Sequence, residues 1–265
     1  MAEMVTGPNA SYSLGAAADG PAPATKRVIP AWGFWPTLGF SVLIGAVNGM
    51  ASMLAVFIAL DVALLSDPDL NWTDYIFSEF GSEFNAVIVF SIIFSGAVSL
   101  LLIGALIKAR HGASIKEYLA LKPLPFRTIG QLILLTVALA LLSGLIDAAF
   151  RESPGGATGS VFQGVWPVFA WLAAVGMAPF FEEALFRGFM FRGFSGTRYG
   201  TALAVGLPAA WWGLLHVQYG GFDQAVIISL GIVLGIVRWK TGSLWGPITV
   251  HAVWNAIAMI QVSFG

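Results

Sequence analysis

Long uninterrupted apolar runs dominate the chain, at residues 34–65, 84–107, 128–150, 161–181, 201–217, 222–237 and 244–262. Most approach the ~20 residues that a helix needs to cross the hydrocarbon of a bilayer. They do not alternate apolar and polar positions as the strands of a membrane barrel would. The pattern predicts an all-α, polytopic membrane protein, with about seven transmembrane helices around a polar intramembrane cavity. The last three runs are short, which fits a thinned bilayer or a water-filled cavity. Residues 1–30 are rich in Gly, Ala, Pro and Ser without periodicity and read as a disordered tail. The transmembrane domain is therefore expected over residues 31–265.

The polar stretches between the runs differ in sign. Residues 66–83 hold Asp67, Asp69, Asp74, Glu79 and Glu83 and no Lys or Arg. Residues 108–127 hold Lys108, Arg110, Lys116, Lys122 and Arg127 against the single acid Glu117. The positive-inside rule puts the second loop, and with it the N-terminus, in the cytoplasm, and the acidic loop outside. Arg187, Arg192 and Arg198 after the fourth run, and Arg238 and Lys240 between the last two, fit the same orientation. Residues 188–199 mix Phe and Met with Arg and are expected to lie along the interface as a short amphipathic helix. Asp147 and Arg151 are four apart and expected to pair near the outer interface.

With 57% hydrophobic and 10% charged residues, the expected location is the cell membrane, as a multi-pass protein in contact with the lipid bilayer. A net charge of −1 carries no nucleic-acid signature. The absence of cysteine excludes disulfides, thiolate metal sites and a cysteine nucleophile. No internal repeat marks the chain as a transporter of the inverted-repeat kind.

Against this background a few polar residues stand out. Glu182 and Glu183, followed by Arg187, close an uncharged run of about twenty residues. Each charge at membrane depth costs at least about 2.5–3.5 kcal/mol on insertion scales. Glu183 and Arg187 are four apart and expected to pair. Glu182 is turned about 100° away and left to face elsewhere. Pro179 removes a helical hydrogen bond and is expected to bend the helix near Glu182. His216 lies near the end of the fifth run, and His251 and Asn255, four apart in the seventh, share a face. Any one of these reads as a buried polar residue bonding a neighbouring helix. Together they place two histidines, two glutamates, an arginine and an asparagine on three spans in the last third of the chain.

In this order, Glu182-Glu183 with Arg187, the aromatic Trp212 four residues before His216, and His251 four before Asn255 resemble the three motifs of the CPBP family. These are the CAAX protease and bacteriocin-processing, Abi-type intramembrane endopeptidases. The resemblance covers about residues 166–262 and makes 161–262 the expected protease core. Trp212 departs from it, since the family usually has Phe there; an aromatic pocket wall is kept but its size changes. The resemblance implies hydrolysis of a peptide bond in a membrane-associated peptide or protein, of CAAX or bacteriocin type. It implies that Glu182 activates water with His216 as its second partner. His251 and Asn255 would stabilise the oxyanion, and the Glu183–Arg187 pair would support the helix. No cofactor is expected in that mechanism. The alternative is a zinc site with Glu182, His216 and His251 as ligands, since two histidines and a glutamate are a known zinc-hydrolase set and family members are often labelled metalloproteases. No His-Glu-x-x-His sequence is present. A non-enzymatic scaffold, a bacteriocin-immunity protein and a proton-relay transporter are the other readings. Hydropathy alone sets His216 near the outer end of its span and Glu182 and His251 near the inner end, so a shared site requires these depths to converge.

Overall fold

A computed structural model describes residues 30–66, 71, 82–150, 165–217 and 219–264. The tail expected at 1–30 lies, Pro30 apart, outside them, as do most of the acidic loop 66–83 and the outer turn at 153–159. The described residues form only helices: α1 Phe34–Ser66, α2 Ser82–Ala109, the short α3 Ile115–Tyr118, α4 Phe126–Phe150, α5 Pro167–Ser195, α6 Gly200–Leu215, α7 Gly221–Thr241 and α8 Trp245–Phe264. Among them α1, α2, α4, α5 and α7 are long and apolar enough to cross a membrane. The protein is thus a polytopic helical membrane protein. The expected fifth and seventh spans are present as helices but fall outside that group. α6 has only 16 residues, and the 20-residue α8 is interrupted by His251, Asn255 and Gln261.

Two expectations about the fourth run are corrected. It does not end at Phe181, and residues 188–199 do not form a separate interfacial helix. α5 continues to Ser195, and residues 184–191 are buried inside the protein. The charges are absorbed rather than expelled. Arg187 is 1% exposed, paired to Glu183, and its Nη2 donates to the carbonyl of Gly231 on α7 at 2.8 Å. Arg238, also buried, donates from Nε to the carbonyl of Arg187 at 3.0 Å and lies over the ring of Phe191. A cation held this way need not reach the interface.

α6 and α7 pack at backbone distance. A Cβ on Gly231 would stand 3.1 Å from Ala209 Cα, and one on Gly235 would stand 3.2 Å from Val205 Cα. Small residues at such crossings replace the hydrophobic drive that lipid does not supply. α8 packs on α4, α7 and the first half of α5. α1 and α2 form a pair that leans on α5. At the basic end, Ser114 caps α3 by accepting from the Glu117 N–H at 3.2 Å while donating to its carboxylate at 2.9 Å. This loop closes over α5: Tyr118 stacks on Phe189 with ring centroids 5.7 Å apart, and Leu244 N–H donates to the carbonyl of Ala120 at 3.0 Å.

Candidate active site

The site is built on an irregular stretch of α5. Two π-helical segments, Leu172–Met177 and Ala184–Met190, flank the α-helical Ala178–Glu183. Wide turns of this kind recur where a helix presents functional groups. Pro179 lies just after the first of them. Ala178 N–H reaches back to the carbonyl of Ala173, five residues earlier. The next carbonyl, Ala174, would need the N–H of residue 179, and proline has none. Asn255 Nδ2 from α8 donates to it at 2.7 Å. Pro179 thus opens an acceptor on α5, and a site residue on another helix fills it.

The two glutamates diverge as their spacing predicts. Glu183 is fully buried, and its Oε1 accepts from Arg187 Nη1 at 3.1 Å. The same oxygen lies 2.9 Å from His251 Nδ1. Glu182 keeps 22% of its side chain exposed. Its Oε2 accepts from the indole Nε1–H of Trp212 and lies 3.9 Å from His251 Nε2, beyond hydrogen-bonding distance. His251 therefore stands between both carboxylates, one at each ring nitrogen.

Trp212 is the hub. Besides its bond to Glu182, its ring meets His216 and His251 edge to face, at centroid distances of 5.0 and 5.2 Å, and carries the Arg187 guanidinium 5.0 Å away. The departure from Phe thus adds an N–H donor aimed at a carboxylate as well as altering the pocket wall. His216 ends α6 in a non-helical conformation, with Nδ1 2.7 Å from the carbonyl of Trp212, so Nε2 is the ring nitrogen not engaged by that carbonyl. Its ring stacks on Tyr219 at 6.0 Å.

A cavity of about 330 Å³ adjoins these groups, lined by Trp212, His216 and Asn255 and by Asp147, Asp223 and Gln261 among others. Its lining does not include Glu182 or His251; Trp212 is the side chain that touches both the cavity and Glu182. Glu182 is fifteen residues from Pro167 and thirteen from Ser195, so it sits in mid-helix, within reach of Trp212 near the far end of α6. Gly220 and Gly221 provide the turn into α7, with Gly220 as its N-cap.

Glu182, Glu183, Arg187, Trp212 and His251 meet directly. His216 joins through Trp212, and Asn255 joins through α5 and the cavity wall. Among the described residues no group of three or more His, Cys, Asp or Glu is placed to hold a metal ion. Sequence reasoning missed the carbonyls of Gly231 and Ala174 as partners. The second was signalled by Pro179, since a proline in a helix leaves an acceptor four or five residues earlier; the first carried no signal, because any residue supplies a carbonyl.

Residues 164–257 match the family model of the Rce1-like proteins, described as type II CAAX prenyl endopeptidase Rce1-like. No curated protein gives a significant match, and no solved structure does.

Proposed function

We propose that this chain, whose residues 164–257 match the family model of the Rce1-like CAAX prenyl endopeptidases, is an intramembrane endopeptidase in which Glu182 activates water. One observation carries the assignment. Of two adjacent carboxylates, Glu183 is fully buried and committed to Arg187 and His251, whereas Glu182 retains solvent access and a single indole donor. A general base must reach the proton it removes, and only Glu182 is free to do so.

In this reading Glu182 takes a proton from water, which His216 holds through Nε2. The water oxygen bonds to the carbonyl carbon of the scissile peptide, and the C=O π electron pair moves onto the carbonyl oxygen. His251 and the second N–H of Asn255 stabilise that oxyanion, the charge that most needs prearranged donors. The C–N bond then breaks, and the proton held by Glu182 passes to the leaving nitrogen. The Glu183–Arg187 pair keeps His251 oriented between the carboxylates. The substrate is a membrane-associated peptide or protein, of CAAX or bacteriocin type.

The decisive experiment compares proteolysis of a tagged membrane proteome by wild type and Glu182→Ala. Peptides that appear with the first and vanish with the second are expected; identical profiles would point to the non-enzymatic readings. The proposed mechanism uses no metal, so activity in detergent is expected to survive prolonged chelation. Full loss on chelation, reversed by zinc, would make Glu182, His216 and His251 ligands instead.

A further inference from the structure

Two guanidinium groups meet where α5 and α7 end. Arg192 lies three residues before Ser195, the last of α5. Arg238 lies in the last turn of α7, ahead of the left-handed Gly242 that ends it. Arg192 is near enough to Arg238 for their charges to interact, and near Tyr118 of α3 as well. Like charges held away from full hydration repel more strongly than in water. A helix C-terminus favours a cation, but it acts on each arginine separately and gives no reason to set two side by side.

Arg238 is the sharper case. It is 6% exposed, its Nε donates to the Arg187 carbonyl, and its guanidinium carbon lies 5.0 Å from the centroid of the Phe191 ring. Among the described residues no acceptor engages its two terminal nitrogens, and neither is sealed from solvent. The neighbouring acids are engaged elsewhere. Glu182 and Glu183 on α5 hold Trp212, Arg187 and His251, and Glu117 in the basic loop holds Ser114. The other cations of this end have their own contacts: Arg110 with the Ala31 carbonyl and the Trp32 ring, Arg198 with Tyr199, and Lys240 over Trp239.

One anion with several acceptor oxygens satisfies two adjacent guanidiniums at once, and the planar fork of arginine matches phosphate. Depth selects the source. The end of a membrane-spanning bundle is level with the lipid headgroups, and basic pockets between spanning helices take them. We propose that Arg192 and Arg238 form a binding site for a phosphate oxyanion, supplied by an anionic lipid headgroup. Its occupant braces Arg238 against the backbone of Arg187, the residue whose side chain engages Glu183. The site stands apart from the peptidase reading and is measured without turnover.

Native mass spectrometry of the full-length protein in detergent reads the first lipid bound, titrated with phosphatidylglycerol or with zwitterionic phosphatidylcholine. Wild type is expected to hold phosphatidylglycerol about 10- to 100-fold tighter, the span of one charge-assisted hydrogen bond. Arg192→Gln and Arg238→Gln should bring the two lipids to parity; if Arg238→Gln fails to fold, Arg192→Gln decides. Arg198→Gln, which removes an exposed cation at the same end, should keep the preference. Equal loss in all three variants reduces the effect to general surface charge and overturns the proposal. A third arm uses inorganic phosphate alone. Phosphate binding that Arg192→Gln abolishes, without a preference between the lipids, overturns the lipid as source and leaves the anion site. A wild type that neither prefers phosphatidylglycerol nor binds phosphate overturns both.

Discussion

Glu182 and Glu183 are the same residue one position apart, and their surroundings divide them. Glu182→Gln keeps the shape and removes the base, so turnover is expected to fall by about 10²–10⁴-fold, the usual size of general-base catalysis. Insertion and melting temperature should hold, since a membrane charge is lost. Glu183→Gln strands a buried arginine and removes the partner of His251 Nδ1. Breaking one side of a buried pair costs about 3–5 kcal/mol, so this variant should express and melt poorly. Adding Arg187→Met should restore stability only in part, because the Gly231 carbonyl then loses its donor. A stable but inactive Glu183→Gln beside an unstable Glu182→Gln would exchange the two roles. Trp212→Phe isolates one hydrogen bond: the ring and its contacts with His216, His251 and Arg187 remain while the N–H to Glu182 is deleted. A bond to a charged acceptor is worth about 1.5–3 kcal/mol, so kcat is expected to drop about 10- to 100-fold with KM little changed. A rise in KM at constant kcat would make Trp212 a pocket wall only.

At the scale of the element, α5 is shaped by a missing N–H. Because Pro179 gives nothing to Ala174, Asn255 does. Pro179→Ala supplies a backbone donor, which either completes the wide turn or returns it to regular helix. Both outcomes occupy the Ala174 carbonyl and release Asn255. A double-mutant cycle on melting temperature tests this. Asn255→Ala in the wild-type background leaves a buried acceptor unsatisfied, a loss of about 1–3 kcal/mol. In the Pro179→Ala background the same change should cost almost nothing. Equal losses in both backgrounds would show that the carbonyl finds its donor elsewhere. Pro179→Ala itself should raise stability, as alanine is the better helix former by about 3 kcal/mol, while lowering activity. A purely structural proline would not separate the two readouts in that direction.

At the scale of the whole molecule, the α1–α2 pair is a buttress for α5 rather than part of the site. The closest seam is Gly193 on α5 against Thr37 on α1, where a Cβ on the glycine would fall 2.0 Å from Thr37 Oγ1 and 2.6 Å from its Cβ. Thr37 is fully buried and has no room to retreat. Gly193→Ala should therefore destabilise by about 1–3 kcal/mol, the usual cost of overpacking. Combining it with Thr37→Gly should recover part of the loss, as the clash is relieved. A neutral Gly193→Ala, read by thermal unfolding in detergent, would show that α1 does not seat on α5 at this distance. The segregation of basic and acidic residues belongs to this scale too, because it distinguishes the two ends of the helix bundle.

The sequence by itself determined the class of this protein: long apolar runs admit little but membrane helices, since no other backbone arrangement satisfies its own hydrogen bonds in lipid without closing a barrel. It also determined the Glu183–Arg187 pair, a local consequence of helical spacing, and the set of polar residues from which the site is drawn. The tertiary structure decided what depends on other helices. Where the fourth run ends was misread because Arg187 looks like an interfacial flank until Gly231 on α7 is seen to hold it. Trp212 reads as an aromatic wall until its N–H is placed against Glu182, and the spacing of Asn255 from His251 does not show that one of its hydrogens goes to the carbonyl of Ala174. Periodicity reports which residues share a face of one helix. Which face meets which neighbour, and at what depth, is set by packing between helices remote in sequence, and no local pattern encodes it.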